Sequence, residues 1–246
     1  MTYGAGGRAF TLILLAFFIP SVGLGRVGRA RKRRLVDIGK GGARDAWQVF
    51  ANGGVATVCA AIAGLSRTSP ASPALWTAAF AGSYAAATAD TWGTEIGTLA
   101  HGAPHSILTL RPIPPGLSGG VTVVGTAAEI AGAAWLAVVT AWTLTLRRGE
   151  GEPSPTLATT RGFIVPVLLG GIGGALVDSI LGATLQELRR CPTCDRTCET
   201  NPHACGAPTT LVRGIRGFSN DVVNFGATLS GALIAAAALR AASPHS

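Results

Sequence analysis

Of 246 residues, 48% are hydrophobic and only 13% are charged, about half the charged share of an ordinary soluble domain. Glycine supplies 34 residues, many of them inside apolar runs, where a water-exposed helix loses stability and a packed membrane helix does not. This composition excludes a soluble globular protein and predicts an all-α, polytopic integral membrane protein forming a single transmembrane domain over 1–246. Twenty Lys and Arg face twelve Asp and Glu, and the excess is gathered in short stretches. Such clustering suits topology signals and anionic ligands, not a nucleic-acid partner.

Six apolar segments are predicted as helices. The first, Ala9 to Gly25, is preceded by Arg8 alone and followed by Arg26, Arg29, Arg31, Lys32, Arg33 and Arg34. Positive charge on the trailing side predicts a retained helix with its N-terminus outside, not a cleaved signal peptide. Lys40 and Arg44, at the end of this basic stretch, are placed to neutralise an anionic ligand, whereas Arg29 to Arg34 read as topology determinant and lipid-surface contact. The second segment is Val49 to Leu65. The third, Leu75 to Ala89, is short for a crossing, so it is tilted, re-entrant or continued past Asp90. Gly119 to Leu146, Phe163 to Leu185 and Val222 to Leu239 complete the set, with Arg147 to Arg161 a solvated linker between the fourth and fifth. Threaded from outside, six crossings leave 14 of the 20 Lys and Arg inside, as the positive-inside rule requires. The loops Asp90 to Ser118 and Glu187 to Asn220 then face the cytoplasm together. Residence in the cell (plasma) membrane with a cytoplasmic active site is the resulting expectation.

Acidic groups cluster where helices end. Asp90 and Glu95 close the third helix, five residues and so about 140° of rotation apart, which prevents them from sharing a face unless the helix breaks near Gly93. Asp178 lies about 22 Å into the fifth segment, near the cytoplasmic end of a roughly 30 Å core and level with Asp90. Ser179, Gly182 and Gln186 give that helix a small, polar face, while Gly170, Gly171, Gly173 and Gly174 read as helix-packing residues. Asn220, Asp221 and Asn224 at the start of the sixth helix are spaced to point one way. Caps explain some of these groups, but carboxylates converging at one membrane level suit Mg²⁺, and Mg²⁺ suits a nucleotide. The turn Arg111 to Gly120, with Gly116, Ser118, Gly119 and Gly120 leading into the fourth helix, offers backbone N–H groups to a phosphate, although it lacks the Walker ending and a plain loop-to-helix turn reads equally well. Glu129, placed near mid-bilayer by counting from Gly119, is left as a protonated or cavity-facing carboxyl without a role.

Cys191, Cys194, His203 and Cys205 make a Cys₃His set that suits a structural Zn²⁺ in an insert over 187–219, with Cys198 a spare thiol and a dithiol redox pair the competing reading.

Asp90-Thr-Trp-x-x-Glu95-x-Gly97, Pro114-Pro-Gly-x-Ser118-Gly-Gly-Val121, Asp178-Ser-x-Leu-Gly-Ala-Thr-x-Gln186, Cys191-Pro-x-Cys194 with His203-x-Cys205-Gly206, and Asn220-Asp-x-Val-Asn224 together resemble the DUF92 family, with its TMEM19-like proteins and plant phytyl-phosphate kinases. The Lys40 to Asp45 and Gln48 to Gly53 stretches resemble it too, whereas His105 stands where the family has Arg and Leu117 where it has Thr. The resemblance implies a multi-pass helical fold and CTP-dependent phosphorylation of a membrane isoprenoid (phytyl or prenyl) monophosphate to the diphosphate. It implies Mg²⁺ at Asp90, Glu95, Asp178 and Asp221. Phosphate and nucleotide would contact Lys40, Arg44, Arg111, Gly116, Ser118, Gly119, Gly120, Gln186, Asn220 and Asn224. Two other classes stay open: another nucleotide-dependent lipid-head enzyme, such as a lipid-alcohol kinase or cytidylyltransferase, and a non-enzymatic transporter or scaffold.

Overall fold

A computed structural model describes residues 2–28, 46–65, 72–146 and 161–242. Inside a bilayer every backbone N–H and C=O must find a partner within its own segment, so apolar runs become helices. Six form among the described residues: α1 (Thr2–Leu24), α2 (Ala46–Leu65), α3 (Ser72–Gly97), α4 (Val123–Thr145), α5 (Ile164–Thr184) and α6 (Asn220–Ala242). All but α3 are long and apolar enough to cross a membrane by length and composition. The chain is a multi-pass integral membrane protein.

The short third segment of the sequence proves to be the longest helix, 26 residues, continued past Asp90 to Gly97. It stands at the centre, packed on the five others, and is buried from Thr77 to Ala89. A helix that touches protein on every side has little need of bulky apolar residues, and α3 is accordingly built from Ala, Ser, Thr and Gly. Two of its buried hydroxyls are absorbed locally, Thr77 Oγ1 donating to the Pro73 carbonyl and Thr88 Oγ1 to the Tyr84 carbonyl, both at 2.7 Å.

Small residues set the spacing. A Cβ placed on Gly82 of α3 would lie 2.5 Å from the Gly231 carbonyl of α6, and one on Gly170 of α5 would lie 2.6 Å from the same oxygen. Three helices thus meet almost backbone to backbone, the close approach that holds membrane helices together where the hydrophobic effect does not. The packing reading of Gly170, Gly171 and Gly174 holds, with Ala133 against Gly171 and Ala86 against Gly174. On the other flank α1 is joined to α3 by the Phe10–Phe80 stack, centroids 4.1 Å apart. Pro20 deprives the Ala16 carbonyl of its usual helical donor. The Trp135 indole N–H of α4 donates to that carbonyl at 3.0 Å instead.

Two extramembrane segments lie at the α3–α4 and α5–α6 junctions. The first carries a short antiparallel pair, β1 (His105–Ser106) and β2 (Gly120–Val121). The second, within the Cys/His insert, departs from the all-helical expectation: β3 (Leu188–Cys191), β4 (Arg196–Cys198) and β5 (Thr210–Arg213) form an antiparallel sheet in the order β4-β3-β5. Among its described residues the ribbon buries Arg189, Cys191, Cys198, His203 and Thr209, a polar and sulfurous interior with no large aliphatic side chain. Arg189 is held there by Glu187 at 2.6 Å and by Thr209 Oγ1 at 2.9 Å.

Candidate functional site

Where α3 and α5 end and α6 begins, a cavity of about 480 Å³ opens between them and the α3–α4 loop. Asp90 and Glu95 of α3, Glu129 of α4, Asp178 of α5 and Glu199 of the ribbon line it. Five carboxylates share it with no Lys, Arg or His among the described lining residues. Gln48 and Asn52 of α2 and Asn220 and Asn224 of α6 supply neutral oxygen and nitrogen, and Gly116, Ser118 and Gly120 form the wall toward the loop.

Helix geometry explains how these groups meet. The α3 helix does not break at Gly93. Asp90 and Glu95 lie on different faces of one continuous helix end around which the cavity wraps, with Glu95 reaching toward Gly25 behind α1, 3.5 Å from where a Cβ there would stand. Gly93 makes room for a side chain of the neighbouring helix. The Glu129 side chain lies across it, and a Cβ on Gly93 would sit 2.7 Å from Glu129 Oε1. Because α4 begins at Val123, four residues later than the segment boundary, Glu129 is only about 9 Å into the helix. It faces the cavity, not mid-bilayer.

The Asp90 and Asp178 carboxyls lie side by side, and Asp178 Oδ1 is buried with no partner. Two adjacent carboxyls with Glu129 nearby need a proton or a cation between them. An all-oxygen donor set with an unfilled buried carboxylate oxygen fits a hard divalent ion such as Mg²⁺.

Several expected positions are not brought into the cavity. Asp221 follows Asn220 by about 100° of rotation, and its side chain lines a neighbouring apolar groove instead. The single-direction reading of Asn220, Asp221 and Asn224 is therefore corrected to Asn220 and Asn224 only. Arg111 is exposed on the outer side of its loop. Gly119, at φ +80°, presses on Ala183 of α5. Gln186 is buried behind the wall, reaching it through Glu199. Lys40 and Arg44 lie outside the described residues. Of the small, polar face on α5, Ser179 lines the cavity, whereas the space over Gly182 is taken by Ser118.

Glu199 is the residue that sequence reading missed altogether. Burial pushes its carboxyl above the usual range, against the opposing pull of the Ser118 and Gln186 hydrogen bonds and the Arg213 charge. Standing one residue past a cysteine in a polar loop, it carried no signal of a membrane-level cavity.

In the ribbon, the ligand atoms of Cys191, Cys194, His203 and Cys205 all lie within 4.8 Å of one another. Cys191 Sγ is 3.6 Å from Cys205 Sγ, and His203 Nδ1 is 3.1 Å from the latter. Tetrahedral zinc with bonds of about 2.3 Å to sulfur sets such ligand atoms about 3.5–3.8 Å apart, a spacing that the Cys191–Cys205 pair has and that the other separations bracket, so the donor set suits the ion. Burial alone would raise the Cys191 thiol, but the N–H groups of Cys194 and Thr193, with the Cys205 and Cys194 thiols, hold it below its ordinary value. Cys198 stands apart, directed at the Thr200 carbonyl at 3.5 Å. We expect about one Zn²⁺ per chain in protein purified under reducing conditions without chelator. Elemental analysis finding none would favour the dithiol reading.

The family model described as "Integral membrane protein DUF92" matches residues 1–232. Protein PGR of Arabidopsis thaliana is 32% identical over 234 residues, covering 89% of this chain and 77% of its own length. A membrane protein of Methanocaldococcus jannaschii, described as uncharacterized, is 30% identical and covers 74% of this chain and 67% of its own. A Synechocystis membrane protein of like description is also 30% identical, with shares of 74% and 65%. No solved structure matches.

Proposed function

We propose, for a chain that belongs to the DUF92 integral membrane family, that it is a CTP-dependent kinase converting a membrane isoprenoid monophosphate to the diphosphate. The observation that carries this reading is the acidic cavity at the helix ends, walled by a glycine-rich turn and sharing Ser219 with a neighbouring apolar groove. That groove, about 380 Å³, is lined by Trp47, Phe50, Ala51, Val222 and Phe225. An acceptor with a phosphate head and a prenyl tail has the same two-part character. Its head would enter the cavity and its first apolar units the groove, between the N-terminal ends of α2 and α6.

In the proposed reaction an oxygen of the acceptor phosphate attacks the γ-phosphorus of the nucleotide. The bond from that phosphorus to the bridging oxygen breaks, and CDP leaves. Such transfer depends on positioning and charge compensation more than on covalent chemistry by the protein. Asp90 and Asp178, with Glu129 beside them, would hold Mg²⁺, which when bound neutralises charge on the transferring group. Asn220 and Asn224 donate to phosphate oxygens, and the Gly116 to Gly120 turn shapes the wall. The acidic cavity disfavours a polyanion unless that cation is present, so activity should require it.

The proposed orientation puts the cavity on the cytoplasmic side of the cell membrane, where a soluble nucleotide has access. Purified protein in detergent, given CTP labelled on its γ-phosphate, Mg²⁺ and a panel of prenyl monophosphates, should yield labelled prenyl diphosphate and CDP. Release of pyrophosphate with formation of a CDP-lipid would identify a cytidylyltransferase instead. Absence of any nucleotide turnover across the panel would remove the enzymatic reading.

A further inference from the structure

Donors that a phosphate-binding turn would offer are already engaged. The Ser118 N–H and hydroxyl both donate to Glu199 Oε1, at 3.1 and 2.6 Å, and the Gln186 side-chain amide donates to Oε2 at 2.8 Å. Ser118 and Glu199 are 81 residues apart in sequence, so this contact ties two separate motifs. Glu199 follows Cys198, the last residue of β4, and β4 is registered on β3, which ends in Cys191 of the metal quartet. From the opposite side α5 presses on the same turn, with Gly182 so close that its Cβ would stand 3.0 Å from Ser118 Cβ and 3.2 Å from the Gly119 nitrogen. The turn is clamped between a rigid helix and one carboxylate delivered by the ribbon.

We propose that Glu199 is a positioning residue that transmits closure of the Cys/His ribbon to the Ser118 to Gly120 turn. The ribbon has no apolar interior to fix its shape, so the cysteine–histidine quartet decides whether β4 is in register and whether Glu199 reaches Ser118. An exposed strut would add little. This one is mostly buried, and a buried carboxylate with three donors around it orders both sides of the contact. The inference deepens the proposed reading of the cavity, but its test requires no turnover.

Hydrogen exchange on the full-length protein in detergent, followed in the peptide that contains the Ser118 amide, provides the test. Glu199→Leu removes both acceptors and should speed exchange at Ser118 by about tenfold or more, with no comparable change in the buried part of α3. Glu199→Gln keeps Oε1 and should restore most of the protection, a rescue that general loosening of the fold would not show. Cys194→Ser opens the quartet and should speed Ser118 exchange to a similar degree in the native background, yet add nothing in Glu199→Leu. Unchanged Ser118 exchange in Glu199→Leu, or additive effects of the two substitutions, would overturn the proposal. Cys194→Ser tests closure by the quartet, and Cys191→Ser, which also removes the thiol 3.6 Å from Cys205 Sγ, tests closure by a disulfide and should have the same effect. A metal-free native protein would therefore defeat the zinc assignment without deciding this one, and a protein inactive toward CTP would leave the exchange result intact.

Discussion

Asp90→Asn and Asp178→Asn are each expected to lower turnover at saturating nucleotide by at least about a hundredfold, the scale of losing a preorganised charge-stabilising group in a water-poor site. Each substitution keeps the shape and hydrogen-bonding reach of the carboxyl while removing its charge, so cation binding is lost and packing is kept. Stability should not fall, because the charge removed belongs to one of two acidic groups placed side by side. Glu129→Gln should have a smaller effect in the same direction, since its side chain approaches the pair from α4 across Gly93. Asp195→Asn serves as the control: Asp195 is an exposed residue paired with Arg190 on the ribbon, and such surface pairs contribute little. The measurement is transfer of labelled phosphate, with thermal unfolding recorded in parallel. Near-native turnover in both Asp90→Asn and Asp178→Asn would remove the cation site from this cavity.

The membrane architecture was legible because bilayers enforce simple rules, and the five lipid-facing helices announce themselves by length and apolarity. The central helix did not. Its polar, small-residue character made Leu75 to Ala89 look too short, although that same character is what lets α3 pack on five neighbours. Asp90 and Asp178 could be placed at one level by counting residues along straight helices. Finer placement failed where it depended on rotation about a helix axis, as at Asp221, or on where a helix begins, as at Glu129. Glu199 was beyond reach for another reason. Its place in the cavity is set by a β-ribbon whose register and polar interior leave no periodic trace in the sequence. The convergence of the cysteine–histidine quartet, by contrast, was readable from spacing, because three cysteines and a histidine at such intervals suit one shared centre whatever the surrounding fold.

Gly82 and Gly93 lie eleven residues apart on α3, and their replacement by alanine should separate stability from function. At Gly82 the new methyl would meet the Gly231 carbonyl 2.5 Å away and overlap the Cβ of Ala235, both carried on the α6 backbone. Neither obstacle can swing aside, so α3 and α6 must move apart, and overpacking of that kind costs about 1–3 kcal/mol. Gly82→Ala should lower the unfolding midpoint while folded protein keeps much of its activity, because the contact is well removed from the cavity. At Gly93 the new methyl would meet the Glu129 side chain, 2.4 Å from its Cγ and 2.7 Å from Oε1, an overlap that a change of the Glu129 χ1 rotamer relieves. Gly93→Ala should leave the unfolding midpoint nearly unchanged and reduce turnover by about tenfold, since the displaced carboxyl no longer faces Asp90. Combining it with Glu129→Ala should cause no further loss beyond Glu129→Ala alone, because the clash and the group it displaces vanish together. Additive losses in that double variant, or a stability loss at Gly93 matching that at Gly82, would show that the glycine supports the helix interface instead of seating Glu129.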